Sequence, residues 1–275
     1  MITLVQGTTR VLVDPVAGGR LVGLAVGGRQ LLMPAPPDST PAHGGCYPMV
    51  PWAGRIRYGR FSLLGRDVQL EIDAPPHALH GLAYRRPWRV TSADADRCGL
   101  AIDLSTPEVA AAGWPFGGTV TQAIRATADG VALAMTITAG EGALPLTFGW
   151  HPWFVRHLAG VEGQAVVDAG AMYARDAEGL PTGALIDVPP GPWDDCMTDL
   201  RATPGVRWPG VGRVEVRSDL DHLVVFDQHP TGICIEPQSG PPDAVNLPSP
   251  AILEGGGTVQ GWAELRFVPG GLSPR

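Results

Sequence analysis

The sequence contains no lysine, and all 20 of its basic residues are arginines. Schiff-base catalysis and a Walker-type phosphate loop both require a lysine, so its absence rules them out. Only 17% of the residues are charged, and the net charge is −7 with a pI of about 5.4. This balance provides no basic surface for nucleic acid or for an anionic membrane, so neither is expected as a partner.

Cysteine is scarce, and long apolar runs are missing. The four cysteines are far apart and none has C-x-x-C spacing, which argues against a structural zinc site or a thioredoxin-like motif. The pattern favours a reduced, cytoplasmic protein. The first residues lack the charged start and apolar stretch of a signal peptide, and no run of 18 apolar residues occurs. We therefore expect neither a signal peptide nor a membrane span.

Glycine and proline, by contrast, are abundant (37 and 28 residues) and are scattered among short alternating apolar runs. This pattern indicates strands separated by turns. The strands are predicted at residues 10–16, 20–26, 100–104, 119–127, 131–139, 211–217, 222–226, 232–235 and 263–268. The Asp129-Gly130 pair predicts a hairpin. Only residues 107–113 are suggestive of a helix, and that one is short.

Many short strands without alternating helices predict an all-β sandwich or barrel. A chain of 275 residues fits one large domain of this kind, covering residues 1–275. Residues 161–207 have a weaker pattern and more glycine, proline and aspartate. We expect long loops there, and long loops on a rigid β scaffold tend to carry functional sites.

Polar residues with potential chemistry lie in four otherwise apolar or turn-like segments, at Arg55, His80, His151 and Glu236. Each has an ordinary structural explanation on its own: a surface ion pair, a turn or core histidine, or a strand-end residue. Glu236 stands out because it directly follows three apolar strand residues, and a buried carboxylate needs a partner. Together the four suit a site that binds a neutral polyol and moves protons, and the eight tryptophans could cover apolar sugar faces.

These segments also resemble motifs of the aldose 1-epimerase family, from near Tyr47 to near Phe267. Arg55-Ile56, followed by Gly59-Arg60-Phe61, is similar to the family's Asn-Arg-Ile motif, with Gly54 in place of the asparagine. Leu79-His80-Gly81 matches its Leu-His-Gly motif.

The remaining motifs follow in the family's order. His151-Pro152-Trp153-Phe154 is similar to His-Pro-Tyr-Phe, with tryptophan for tyrosine. Ile235-Glu236-Pro237-Gln238 looks like the C-terminal glutamate motif. An Asp-His pair of the family is matched most loosely, by Asp194-Asp195, and either of these carboxylates could be the sugar ligand.

The resemblance implies a large single-domain antiparallel β-sandwich of the galactose mutarotase-like (supersandwich) type. It implies an isomerase that interconverts the anomers of a hexose such as galactose or glucose, without cofactor or metal. Glu236 would be the base on the C1 hydroxyl and His151 the acid on the ring oxygen. The implied substrate-binding residues are Arg55, His80, Asp194 or Asp195, and Gln238.

Acid–base chemistry of this type sets a condition on the two catalytic groups. Glu236 must be ionised while His151 is protonated, so each should support the charge of the other. We therefore expect a bell-shaped pH profile.

Three other interpretations compete with this one. An epimerase for a hexose 6-phosphate would need converging arginines, for which Arg85 and Arg86 are the candidates. A non-catalytic sugar-binding module on the same fold would not need the acid–base pair. A metal site is disfavoured, because the histidine spacing follows no ligand pattern. The preferred sugar and the choice between monomer and homodimer stay open.

Overall fold

The computed structural model describes residues 1–36, 39–63 and 65–270. These residues fold almost entirely as antiparallel strands in two large sheets and several small ones, which confirms the predicted all-β class. One α-helix, α1 (Pro107–Ala111), and three 3₁₀ turns (Arg57–Gly59, Ala83–Arg85 and Ala244–Asn246) interrupt them.

The strands are β1 Ile2–Gln6, β2 Thr9–Asp14, β3 Arg20–Val26, β4 Arg29–Gln30, β5 Cys46–Met49, β6 Arg55–Ile56, β7 Arg60–Leu63, β8 Arg66–Gln69, β9 Ala78–Leu79, β10 Arg89–Ala93, β11 Arg97–Asp103, β12 Gly118–Thr127, β13 Gly130–Ala139, β14 Leu144–Pro145, β15 Gly149–Val155, β16 His157–Leu158, β17 Val161–Glu162, β18 Gln164–Val166, β19 Ala169–Arg175, β20 Pro181–Ile186, β21 Asp194–Leu200, β22 Gly205–Trp208, β23 Gly212–Ser218, β24 His222–Phe226, β25 Gly232–Gln238, β26 Ile252–Leu253 and β27 Thr258–Pro269.

The first sheet has the strand order β1-β2-β3-β5-β15-β25-β24-β21-β19-β20, with β4 added beside β3. The second sheet has the order β10-β11-β12-β13-β27-β23-β22-β18. The pairs β14–β26, β16–β17, β6–β9 and β7–β8 form small two-stranded sheets around them.

One continuous apolar core contains inward-facing side chains of both large sheets. Strand β12 shows how the sequence builds it, because its residues alternate strictly between buried and exposed along the strand. This is the two-residue period of a sheet with one face in the core. Buried hydrogen bonds of Gln122 on β12 connect the second sheet to the first. Trp150 Nε1 on β15 donates to Gln122 Oε1 at 2.9 Å, and Gln122 Nε2 donates to the Gly19 carbonyl at 2.9 Å.

The central strands β15 and β25 are covered on both faces. All seven residues of β25 are buried, and so are six of the seven in β15. In β25, Ile233 and Ile235 belong to the main core, whereas Cys234 packs in a second apolar cluster on the other side of the sheet. Because side chains alternate along a strand, Glu236 lies on the same side as Cys234, away from the main core.

The expectation of long loops over residues 161–207 is wrong. Strands β17 to β22 run through this segment. Most residues of β17 to β20 are exposed or only partly buried, and β20 has five exposed residues out of six, so the two-residue period is weak in the sequence. Glycine and proline separate these short strands and gave the segment its loop-like composition.

The short helix predicted at residues 107–113 is confirmed as α1. Its cap explains its position: Thr106 Oγ1 accepts from Val109 N, and Pro107 occupies the first turn. Among the described residues, no helix is long and apolar enough to cross a membrane.

Candidate active site

A cleft of about 220 Å³ opens on the outer face of the first sheet, at the second apolar cluster. Its floor comes from the central strands β5, β15, β25, β24 and β21, and loops and turns form its walls. Of the residues predicted for the site, six line this cleft: Arg55, His80, His151, Asp194, Asp195 and Glu236.

His151 and Glu236 meet at the base of the cleft. The register of β15 and β25 pairs Gly149 with Gln238 and Trp153 with Cys234, so it places residues 151 and 236 opposite each other. The His151 Nε2 and Glu236 Oε1 atoms are 3.2 Å apart, and both side chains are almost completely buried. A proton can pass directly between these two groups.

Burial acts on both members of this pair in favour of their neutral forms. It raises the pKa of Glu236 well above its ordinary value, with a further increase from the negative charge of Asp194 and a decrease from Arg55. It lowers the pKa of His151 well below its ordinary value, and His80 adds to this effect. In the free protein the proton of the pair is therefore favoured on Glu236, which differs from the ionised glutamate and protonated histidine that the sequence-based mechanism requires.

Aromatic rings hold the imidazole of His151 in place. Tyr47 lies directly opposite it on β5, and the two rings stack with centroids 4.7 Å apart. Trp153 stacks on His151 with an interplanar angle of 12°. The Arg20 guanidinium lies over the Tyr47 ring, 5.0 Å from its centroid. The sandwich fixes the plane of His151, although its buried Nδ1 atom has no hydrogen-bond partner among the described residues.

His80 presents a defined tautomer to the cleft. The Gly54 N–H donates to His80 Nδ1 at 3.3 Å, so this nitrogen carries a lone pair. Burial, assisted by the charge of Arg55, lowers the pKa of His80 to about 3. The ring is therefore neutral with its proton on Nε2, which makes it a hydrogen-bond donor.

The same three side chains, His80, His151 and Glu236, place one ligand-type atom each within 4.8 Å of one another, as a transition-metal site would. A metal-bound histidine usually donates a hydrogen bond from its second nitrogen, whereas His80 accepts one there from Gly54. Its remaining nitrogen carries the proton. This donor set fits hydrogen bonding to an oxygen of a ligand and does not fit a metal.

Arg55 reaches the cleft from the short strand β6. This strand pairs with β9, where Arg55 lies opposite Leu79, next to His80. Asp243 N donates to the Arg55 carbonyl at 2.7 Å and fixes the backbone. Across residues 1–36, 39–63 and 65–270, no protein group forms a hydrogen bond or ion pair with the Arg55 guanidinium. Its donors are free for a ligand.

The two aspartates predicted as alternatives differ in their partners. Asp195 Oδ1 accepts from Arg175 Nε at 2.8 Å, and its Oδ2 accepts from Asp194 N at 3.0 Å. The Asp194 carboxylate is one-third exposed and lies 3.9 Å from its nearest arginine nitrogen, Arg175 Nη1. Asp195 is thus engaged by the protein, whereas the oxygens of Asp194 are available in the cleft.

Gln238 does not line the cleft. It is fully buried, and its Nε2 donates to the Gly240 carbonyl at 2.8 Å. Arg85 and Arg86, the predicted phosphate ligands, are also absent from the cleft lining. Arg85 lies 3.5 Å from Asp73, and Arg86 donates to the Leu82 carbonyl.

The family model for aldose 1-epimerase matches residues 1–261. The chain belongs to the aldose 1-epimerase family. This confirms the predicted resemblance, and membership supports a sugar epimerase role in the isomerase class.

A curated relative of this chain is distant in sequence. The uncharacterized protein YphB of Escherichia coli strain K12 is 29% identical over 155 residues, which cover 55% of this chain and 51% of YphB. The match thus spans about half the length of this curated relative.

Solved structures of similar proteins match over nearly the full chain. A galactose mutarotase-like protein from Clostridium acetobutylicum has a TM-score of 0.86 at 17% identity, over 97% of this chain and 94% of that one. Galactose 1-epimerase from Lactobacillus acidophilus NCFM has a TM-score of 0.79 at 15% identity, over 98% and 94%. The likeness confirms the galactose mutarotase-like fold.

One departure from the aldose 1-epimerase motifs has a local structural explanation. Gly54, which replaces the motif's asparagine, has a φ of +72°, and a Cβ at this position would lie 2.6 Å from the Cβ and Cγ atoms of Pro242. Pro242 itself lines the cleft. The proline therefore occupies the space that a side chain at position 54 would need.

Two features of this cleft were not predicted from the sequence. Arg175, which pairs with Asp195, lies in the segment interpreted as loops. Tyr47, which stacks on His151, was only the starting point of the resemblance. The alternation of β5 is hidden because all four of its residues are buried, so nothing in the sequence distinguished Tyr47 from a core residue.

Proposed function

We propose that this protein is an aldose 1-epimerase that interconverts the α and β anomers of a neutral hexose such as galactose or glucose. The observation that carries the proposal is the buried contact of 3.2 Å between His151 Nε2 and Glu236 Oε1 at the base of a polar cleft. A carboxylate and an imidazole side by side can serve two oxygens attached to the same carbon, as the C1 hydroxyl and the ring oxygen of an aldose are.

In the proposed reaction, the Glu236 carboxylate accepts the proton of the C1 hydroxyl while protonated His151 donates to the ring oxygen. The bond between C1 and the ring oxygen breaks, and C1 becomes an aldehyde. After rotation about the C1–C2 bond, the ring oxygen attacks the other face of C1, and both protons return. Each proton transfer of this kind contributes about 10²–10⁴-fold to the rate.

The burial of the pair is consistent with this sequence of steps. The pair carries one proton before and after ring opening: His151 gives its proton to the ring oxygen, and Glu236 takes the proton of the C1 hydroxyl. Burial favours the neutral form of each group, which is the state that accompanies the open chain. The desolvated pair thus promotes ring opening, and the sugar must supply the hydrogen bonds that stabilise the charged state before it.

The remaining cleft residues would bind the sugar. The His80 Nε2–H and the free Arg55 guanidinium would donate to sugar oxygens near the acetal. We assign Asp194, rather than Asp195, to a further hydroxyl because its oxygens have no close protein partner. The Glu236–His151 pair, with its one proton, has no net charge, and Asp194 and Asp195 match the two arginines of the cleft, one of which is paired with Asp195. The cleft thus has no surplus positive charge for a phosphate. This balance favours an uncharged sugar over a hexose phosphate.

Polarimetry of freshly dissolved α-D-glucose and α-D-galactose tests the proposal. We expect the wild-type protein to accelerate mutarotation and Glu236→Gln to reduce kcat by at least about 100-fold. Glu215→Gln, which changes another buried strand glutamate on the second sheet, is the matched control and should keep its activity. Tight binding of the sugars with no acceleration would instead support the binding-module alternative.

A further inference from the structure

One wall of the cleft is a tight turn between β19 and β20. Its residues Gly179 and Leu180, and the following Pro181, line the cleft. The turn, residues 176–180, closes on itself: Asp176 Oδ1 accepts from the backbone N–H groups of Glu178 and Leu180 at 2.9 and 3.1 Å. The 176–180 turn is therefore a preformed unit whose placement determines the shape of the cleft.

The sheet alone holds this turn weakly. Strand β20 is the edge of the first sheet and pairs only with β19 within the part of the chain that the structure describes. That pairing is interrupted by a register shift between Tyr173 and Arg175, just before the turn. Edge hairpins with few buried contacts open at low cost, so contacts from elsewhere must fix the wall.

Arg57 supplies those contacts. Its Nη2 atom forms an ion pair with Asp176 and its Nη1 atom with Glu178. Tyr58, the next residue, donates its hydroxyl to the same Glu178 carboxylate. Two of the five residues of the 176–180 turn, neither of which lines the cleft, are thus held by side chains from another segment.

Arg57 also contacts Asp243, which holds the segment that carries Arg55. Arg57 N donates to Asp243 Oδ1 at 3.0 Å, and Arg57 Nε lies 3.6 Å from Asp243 Oδ2. Asp243 is almost fully buried, and its own N–H holds the Arg55 carbonyl. One guanidinium therefore connects the 176–180 turn to the segment that presents Arg55 to the cleft.

We propose that Arg57 is a positioning residue of the sugar site: it clamps the 176–180 turn against the Arg55 segment and so fixes the cleft wall formed by Gly179, Leu180 and Pro181. This inference rests on the proposed function, because it assigns the wall a role in sugar binding. Arg57 itself does not line the cleft, so its effect on the sugar passes through the turn.

The exposure of the clamp makes it sensitive to salt. The side chains of Arg57, Asp176 and Glu178 are each about one-third exposed. Such ion pairs are screened by salt and individually contribute little to global stability. Breaking them should move the wall without unfolding the protein, which separates a positioning role from a purely structural one.

The experiment compares Arg57→Ala and Arg57→Lys with the wild type in mutarotation of galactose and glucose. Arg266→Ala is the matched control, because Arg266 holds another hairpin turn through Asp129 at nearly the same exposure (37% and 38%) but belongs to the second sheet and does not line the cleft. We expect KM to rise at least about 5-fold in Arg57→Ala, with kcat within about twofold, an intermediate KM in Arg57→Lys and no change in Arg266→Ala. Raising NaCl from about 0.05 to about 0.5 M should raise the KM of the wild type but not that of Arg57→Ala.

Amide hydrogen exchange of the peptide containing residues 176–180 provides a readout that needs no activity. Faster exchange there in Arg57→Ala, but not in Arg266→Ala, supports the clamp even if the wild type accelerates no sugar, in which case only the proposed function fails. Unchanged exchange of this peptide, or a KM in Arg57→Ala equal to that of the wild type in an active enzyme, overturns the inference.

Discussion

The ring of Tyr47 lies against the ring of His151, with centroids 4.7 Å apart and planes inclined by 28°. The two residues are cross-strand neighbours on β5 and β15, so the contact is built into the register of the first sheet. The Tyr47 hydroxyl donates to the Ala42 carbonyl, away from the histidine. Tyr47 therefore acts on His151 through its ring and not through its hydroxyl.

This geometry predicts different effects for two substitutions of Tyr47. Tyr47→Phe keeps the stacked ring and should retain kcat within about threefold, while losing one hydrogen bond of about 1 kcal/mol. Tyr47→Leu removes the ring, should lower kcat by about 10-fold or more, and should lower the free energy of unfolding by about 2–4 kcal/mol. Polarimetry and urea unfolding measure the two quantities. Equal kcat values for the two variants would show that the stack does not orient His151.

The pH profile of the proposed reaction should be bell-shaped and broad. Activity requires one proton on the Glu236–His151 pair. A second proton binds to the pair only below the lowered pKa of His151, so burial moves the acid limb of the profile to lower pH. The single proton is lost only above the raised pKa of Glu236, so burial moves the alkaline limb to higher pH.

Two neighbouring charges should shift the alkaline limb in opposite directions. Asp194 raises the pKa of Glu236, so Asp194→Asn should move this limb to lower pH. Arg55 lowers that pKa, so Arg55→Gln should move the limb to higher pH. The pH dependence of kcat/KM, measured by polarimetry, tests both. Shifts in the same direction would mean that Glu236 does not set the alkaline limb.

Glu236→Gln should stabilise the protein at neutral and alkaline pH. The folded protein keeps Glu236 protonated while the unfolded chain, with an ordinary carboxyl pKa of 4.5, ionises. The contribution of Glu236 to stability is therefore fully present below this value and is lost as the pH rises toward the folded-state pKa. Because glutamine cannot ionise, the free energy of unfolding of Glu236→Gln should exceed that of the wild type near pH 8 and approach it near pH 4.

Glu215→Gln is the control, because its change in the free energy of unfolding near pH 8 should have the opposite sign. Burial raises the pKa of Glu215, but hydrogen bonds from Arg213 and Arg217 outweigh it and lower the pKa overall. Its contribution to stability is present above the unfolded-state pKa and is lost as the pH falls through the folded-state pKa. This variant should be destabilised near pH 8 and less so near pH 4. Urea unfolding at both pH values measures the pair of differences, and a destabilised Glu236→Gln near pH 8 would contradict the effect of burial.

Gly54→Ala should destabilise the protein for two reasons: Gly54 has a positive φ, and Pro242 occupies the space that an added Cβ would need. Gly7→Ala is a close control, since Gly7 also has a positive φ (+58°) but no atom within 4 Å of an added Cβ. We expect Gly7→Ala to lower the free energy of unfolding by about 1 kcal/mol and Gly54→Ala by about 2–3 kcal/mol, with loss of activity because Arg55 is the next residue. Equal costs, measured by urea unfolding, would show that Pro242 moves aside freely.

The sequence predicted the positions of several strands well. The strand at 222–226 begins and ends as predicted, and that at 20–26 does too. The hairpin at Asp129-Gly130 forms with a different register: its two-residue turn is Ala128-Asp129, and Gly130 already pairs with Thr127. Gly130 is required there by the Leu265 carbonyl, 1.9 Å from an added Cβ, and such a close approach between strands leaves no local sequence signal.

The candidate site was less accessible from the sequence. The family motifs predicted that Arg55, His80, His151 and Glu236 share one site. Composition and periodicity alone could not, because these residues approach one another only through strand pairings between segments far apart in the chain. Gln238 was placed at the site because it follows Glu236 by two residues, but its amide binds the Gly240 carbonyl instead. The direction in which burial shifts the protons of the His151–Glu236 pair depends on three-dimensional packing and could not be read from residue types.

Strand β25 supplies the main core with Ile233 and Ile235 and the cleft with Glu236, and no residue of it is exposed. Its amide protons should exchange with solvent only when the whole sheet opens, because no smaller fluctuation uncovers them. The floor of the cleft consequently has no partly ordered state of its own, and heat should abolish catalysis and tertiary structure at one common midpoint. The β19–β20 hairpin at the sheet edge differs from this floor, because side-chain contacts of Arg57 rather than a central strand hold it in position.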